Sequence, residues 1–112
     1  MNSMRWMAVG AAALLLTLPG VSAAQGNIEA GRAKAYTCLG CHAVEGYRNA
    51  YPSYRVPKLG GQHQEYLVSA LQAYKNGDRQ HATMQALAAT LSEQDMLDIA
   101  AYFEAEGRGG AE

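Results

Sequence analysis

The chain has 112 residues, room for one domain and no more. Nine Lys and Arg stand against ten Asp and Glu, a formal charge of −1. That balance leaves no electrostatic footprint for nucleic acid or for an anionic membrane surface.

The first residues read as an address rather than as part of a fold. Arg5 supplies a short positive region, and residues 6–18 form an uncharged apolar run. Pro19-Gly20 breaks it, and Val21-Ser22-Ala23-Ala24 offers small residues for cleavage. The expectation is a secretory signal peptide over residues 1–24, followed by one domain over residues 25–112. An uncleaved anchor competes with it, but the run falls short of the roughly 20 residues a transmembrane helix wants. No Cys lies near the cleavage site, which argues against a lipid-anchored protein. Export would place the two cysteines in an oxidising compartment.

Asn27 is suited to cap a helix expected from about residue 28 to the motif at residues 38–42, with Glu29 favoured near its positive end. Ile28, Gly31, Ala35 and Tyr36 fall roughly on one face, and Gly31 would let another helix approach closely. This helix carries Cys38-Leu39-Gly40-Cys41-His42. The pattern C-x-x-C-H is the attachment signal of a c-type haem. Two thiols must lie about one helical turn apart to bond both vinyl groups of one porphyrin. The following imidazole then reaches the iron from the same face. Two other readings compete. A thiol–disulfide centre expects a βαβ setting, and no strand pattern lies nearby. Structural zinc needs four ligands, yet there is no third Cys, and His63 and His81 stand alone.

Residues 43–61 read as a loop, punctuated by Gly46, Pro52, Ser53, Pro57 and Gly60-Gly61. It exceeds an ordinary connection, so it should be packed or functional. A backbone carbonyl in the stretch Pro57-Lys58-Leu59-Gly60 could accept the Nδ1 proton of His42, which would fix that ring's tautomer. Tyr47, Tyr51 and Tyr54 are interleaved with Arg48, Arg55 and Lys58, which are either haem-propionate partners or a solvated basic face. Residues 62–76 then form an amphipathic helix with Tyr66, Leu67, Ala70, Leu71 and Tyr74 on one stripe. Leu67 and Leu71 are the candidates for a haem-pocket wall, and Gly77 is the C-cap signal. His63, in the first turn, reads as a surface residue.

Residues 77–84 read as a second loop ending at Met84. A thioether on the far side of the haem would close the iron at six ligands, and His/Met ligation raises the reduction potential. Met84 is favoured over Met96, which lies inside the last helix where a methionine is usually core filler. His81 is a rival ligand. Residues 85–89 form a short helix carrying Leu87. Ser92 with Asp95 resembles a capping box that opens a helix running to about residue 105. Met96, Ile99, Ala100 and Phe103 make its stripe, flanked by Leu97, Ala101 and Tyr102. This helix is the partner expected for Gly31. Gly107 should end it, and residues 108–112 should fray.

Taken together, several segments form a known pattern. They are the haem motif, Pro57-Lys58-Leu59-Gly60-Gly61-Gln62, Tyr66-Leu67, Gly77-Asp78-Arg79, Met84, and Leu91-Ser92 through Ala101-Tyr102-Phe103. The chain from residue 25 resembles the small bacterial class I cytochromes c, and in particular one domain of the cytochrome c4 group. The resemblance implies an all-α fold of three to four helices around a covalently bound haem c, one per chain, with the first and last helices packed together. It implies His42 and Met84 as axial ligands and the Pro57 carbonyl behind His42. It departs in having one domain where that group often has two, and in a longer tyrosine-rich segment. The expected role is a periplasmic one-electron carrier without a catalytic site. Membrane respiratory complexes or periplasmic oxidoreductases would be its redox partners. The alternatives are a dedicated haem subunit of an enzyme complex, or a sensor or peroxidase-like protein with a labile Met84.

Overall fold

The first and last helices meet backbone to backbone, and the rest of the chain is wrapped beside that contact. The computed structural model describes residues 25–51 and 53–108. The signal peptide expected over residues 1–24 and the tail at 109–112 lie outside the described residues. Among the described residues five helices follow in order, where three to four were expected: α1 Ile28–Lys34, α2 Tyr36–His42, α3 Gln64–Asn76, α4 Ala82–Ala89 and α5 Glu93–Arg108. The only sheet-like feature among the described residues is an isolated antiparallel bridge between Arg48 and Arg55. The expected all-α class holds.

Gly31 is buried on α1. A Cβ placed on it would collide with the Asp98 carbonyl of α5 and lie 2.9 Å from Tyr102 Cβ. Only a residue without a side chain lets the helices come this close. Polar contacts lock the crossing. Asp98, 3% exposed, accepts the Asn27 backbone N–H at 2.7 Å, the Lys34 ammonium at 2.6 Å and the Gln94 amide at 2.8 Å. Lys34 also pairs with Asp95 at 2.8 Å. Asn27 caps α1 as expected, accepting the Ala30 N–H at 2.9 Å. Asp98 therefore secures α1 at both its ends, a role with no local signal in the sequence.

The helix expected from residue 28 to the haem motif divides at Ala35, which has ψ near zero (φ −73°, ψ −2°). Its carbonyl accepts from both Cys38 at 2.9 Å and Leu39 at 3.0 Å, so the turn tightens and α2 starts on a new heading. Ala35 is fully buried, whereas Tyr36, expected on the same face, is 81% exposed. On α3 the stripe likewise loses a member: Leu67 is buried, while Tyr66 is 53% exposed. The α3 helix starts at Gln64 rather than residue 62, and Gly77 ends it in the left-handed conformation (φ 85°). His63 stands exposed at its N-cap.

The expected box opens α5: Asp95 N–H donates to Ser92 Oγ at 3.1 Å and Ser92 N–H to Asp95 Oδ2 at 2.9 Å. The helix runs past Gly107 to Arg108. Gly107 serves as a contact instead of a stop, because a Cβ there would strike the Gly61 backbone. Gly61 N–H also donates to the Phe103 carbonyl at 2.8 Å. The core formed by Ala35, Leu67, Ile99, Ala100, Tyr102 and Phe103 lies along α5, with Cys38, Leu39, Leu59, Val68 and Leu91 packed against it.

Two outcomes follow from the crossing. Gly31→Val should lower stability by about 1–3 kcal/mol through overpacking, read from thermal unfolding of the haem-loaded protein. The second concerns pH. The Asn27 backbone N–H, then Lys34 and Gln94, hold the Asp98 carboxyl below its ordinary value, and Lys34 with Ser92 lowers Asp95. Carboxyls depressed in the folded state stabilise it fully above the ordinary carboxylate range near about 4, and that contribution is lost as pH falls through their lowered values. Lys34 is raised by Asp95 and Asp98, so its contribution holds at neutral pH and fades only above the ordinary lysine range. Asp98→Asn should therefore be less stable at neutral pH, with a shallower loss of melting temperature between pH 5 and 3. An unchanged acid slope would remove Asp98 from this role.

Candidate haem site

A cavity of about 710 Å³ opens beside the α1–α5 crossing, within the range of small-molecule and cofactor sites. Its wall draws on α2, the long loop, α3, α4 and α5. Leu67 and Leu71 of α3 form one side, and Ile99 and Phe103 of α5 another. That wall is largely apolar, a lining that cofactor sites share. The fold thus calls for a sizeable apolar group at its centre.

Cys38, Cys41 and His42 reach this wall together from α2. The i, i+3 spacing puts both sulfurs on one helix face. Burial pushes the Cys38 thiol up, opposite to the lowered value that arms a thiol–disulfide centre. No cluster of three or more His, Cys, Asp or Glu suited to a metal ion occurs among the described residues.

His42 Nδ1 donates to the Pro57 carbonyl at 2.7 Å. A neutral ring that donates from Nδ1 keeps the Nε2 lone pair for a metal. The loop that supplies Pro57 is folded back on itself: Val56 N–H donates to the Tyr47 carbonyl and Asn49 N–H to the Tyr54 carbonyl, both at 2.9 Å. Gly61, bonded to Phe103, anchors its far end.

The two methionines beyond residue 24 are separated by the fold. Met84 lines the cavity, whereas Met96 is 1% exposed and packed away from it. Met84 does not end a loop as expected. It lies in the first turn of α4, which begins at Ala82 because His81 caps it, accepting the Met84 N–H on Nδ1 at 3.4 Å. His81 Nε2 is 3.0 Å from the Asn49 side-chain amide. Both ring nitrogens of His81 are therefore engaged within the protein, which leaves neither free for a metal.

Among the suggested propionate partners, Tyr54, Arg55 and Lys58 reach the cavity wall, while Tyr47, Arg48 and Tyr51 lie off it. Tyr51 is 95% exposed. Arg79 also reaches the wall, its guanidinium 4.7 Å from the Tyr74 ring centroid. The sequence marks Arg79 only as a residue after Gly77. A planar apolar group with carboxylate arms, held by two thiols and an imidazole, fits this donor set.

A helical shell closed around one apolar cavity, with C-x-x-C-H in its wall, defines a c-type haem protein. The Cytochrome c family model matches residues 28–105, and the chain belongs to that family. Its cofactor is covalently attached haem c, and Cys38 and Cys41 fit the attachment motif. The chain is similar to cytochrome c4 of Pseudomonas aeruginosa, 42% identical over 93 residues that cover 83% of this chain and 45% of the relative. It is also similar to cytochrome c-554(548) of Halomonas halodenitrificans, 40% identical over 84 residues, 72% of this chain and 98% of that one. The crystal structure of reduced recombinant cytochrome c4 from Pseudomonas stutzeri superposes with a TM-score of 0.59 at 38% identity, covering 71% of this chain and 45% of the other. The chain thus spans about half the length of the cytochrome c4 relatives it matches.

Because the cavity takes the place of a packed centre, haem should contribute much of the stability. Cys38→Ala combined with Cys41→Ala should show far less helical circular dichroism than the haem-loaded protein. A double variant that keeps its helices and a cooperative melt would contradict this.

Proposed function

We propose that the chain is a one-electron carrier, with Cys38 and Cys41 joined to haem c and with His42 and Met84 as axial ligands. The observation that carries this reading is that all four side chains line one apolar cavity, with His42 held in the metal-binding tautomer by Pro57. Bound haem supplies an iron that cycles between ferric and ferrous states. The protein's part is to hold its surroundings still. Pro57 keeps the His42 ring from turning, and Leu67, Leu71, Ile99 and Phe103 exclude water. Tyr54, Arg55, Lys58 and Arg79 offer hydrogen bonds and charge to the propionates. Held by His42 and Met84, the iron would keep no position for a substrate, and the chain would carry out no bond-making chemistry of its own. His/Met ligation favours a raised reduction potential.

The same reading places the protein in the periplasm, with residues 1–24 removed as a signal peptide and residues 25–112 as the haem domain. Its partners would be membrane respiratory complexes or periplasmic oxidoreductases that dock briefly over a small area. A dedicated haem subunit is the second reading, and the exposure of Tyr51 and Tyr54, 95% and 56%, favours it. Aromatic side chains left in solvent are a common element of protein interfaces. Co-purification with a single enzyme would select the subunit over the free carrier.

The spectrum of the ferric protein tests the ligand set. A weak sulfur-to-iron charge-transfer band should be present in the near-infrared and should vanish in Met84→Ala. Its absence from the wild type would remove Met84 as a ligand.

A further inference from the structure

His81 joins two parts of the cavity wall that are otherwise far apart in sequence. Its Nδ1 accepts the Met84 N–H at 3.4 Å, and its backbone N–H donates to Gln85 Oε1 at 3.3 Å. These two bonds form a reciprocal box at the start of α4, with histidine in the capping position. On the other side, Nε2 meets the Asn49 amide at 3.0 Å, and the Tyr54 ring centroid lies 5.7 Å from the imidazole. Asn49 and Tyr54 are themselves joined by a backbone hydrogen bond. The imidazole is thus seated between the middle of the folded-back loop and the turn that bears Met84.

The protonation pattern follows from counting donors. A neutral imidazole has one N–H and one acceptor nitrogen. If Nδ1 accepts from Met84, Nε2 carries the proton and must donate. The Asn49 carboxamide then turns its oxygen toward the ring, an exchange of two nearly isosteric groups. The opposite tautomer would leave the Met84 N–H without its acceptor. One arrangement satisfies both neighbours, and it makes loop, imidazole and α4 a continuous chain of hydrogen bonds.

The α4 helix has eight residues, and a helix so short is not stable by itself. The direction of its first turn must be set by what caps and flanks it. We propose that His81 is a positioning residue for Met84, clamping the first turn of α4 to Asn49 and Tyr54 so that the thioether stays on the iron. This rests on Met84 being an axial ligand. Any movement of this turn that carries Met84 away from the iron would break the Met84 and Asn49 bonds to His81.

The test uses the haem-loaded ferric protein and imidazole added as an outside ligand, with the rate of loss of the sulfur-to-iron band as the readout. Losing one cap, worth about 1 kcal/mol, should speed replacement of Met84 by about fivefold in His81→Ala. Exchange of the Met84 amide proton should speed up similarly. Asn49→Ala leaves the cap intact but cuts the link to the loop, and it should also accelerate imidazole entry. His81→Asn restores a capping side chain too short to reach Asn49. It should recover amide protection while keeping part of the faster entry. Unchanged entry rates in both His81→Ala and Asn49→Ala, with the band present in the wild type, overturn the clamp alone. So does faster entry that tracks an equal loss of global helical stability. A wild type without the band overturns the Met84 reading, and the clamp with it.

Discussion

Gly31 lies so close to the Asp98 carbonyl that no side chain fits between them, and the site depends on that contact. That contact fixes how far α1 stands from α5. Ala35 follows within one turn and is buried in the same seam, so the start of α2 is set by the crossing. The two cysteines and His42 then fall opposite Ile99 and Phe103, which belong to the helix that Gly31 touches. A larger residue at position 31 would displace the helix that delivers the attachment motif. The Lys34–Asp98 pair holds the crossing in register rather than supplying most of its stability. The Lys34 side chain is 35% exposed, and an ion pair that reaches solvent adds little net stability.

The cavity divides into two sides with different support. On the His42 side, the ring is tied to a loop whose far end is bonded to α5. On the Met84 side, the sulfur comes from a short helix tied to the middle of the same loop. Residues 43–61 therefore brace both proposed ligands, which accounts for a connection longer than the usual few residues. Arg48 and Arg55, directly bridged across the folded-back segment, place like charges side by side, an arrangement that costs stability in a sheet pair. Of the two, Arg55 reaches the cavity wall and Arg48 lies off it.

Local chemistry was legible in the sequence, and long-range chemistry mostly was not. The spacing of Cys38, Cys41 and His42 is imposed by the group they attach to. Asn27 and the Ser92–Asp95 box act within one turn of themselves. Gly31 was readable because a glycine in a helix needs a reason. Asp98 was not, because its partners Asn27 and Lys34 lie 71 and 64 residues away. Periodicity overstated Tyr36 and Tyr66, since a tyrosine fits an apolar stripe by composition while its position relative to the axis break or the core decides its exposure. His81 looked like a rival ligand because histidine ranks low as a cap. Gly107 looked like a terminator because composition does not distinguish a glycine that ends a helix from one that makes room for a neighbour.

That last distinction has a mechanical consequence. The final described turn of α5 rests on Gly61, only a few residues from the carbonyl that orients His42. The end of the helix is thus a buttress for the loop behind the imidazole. A domain or tag fused directly after Arg108 would load that buttress, and any bend it imposed would be carried through Gly61 toward Pro57. A flexible spacer would let the two parts move without transmitting that torque.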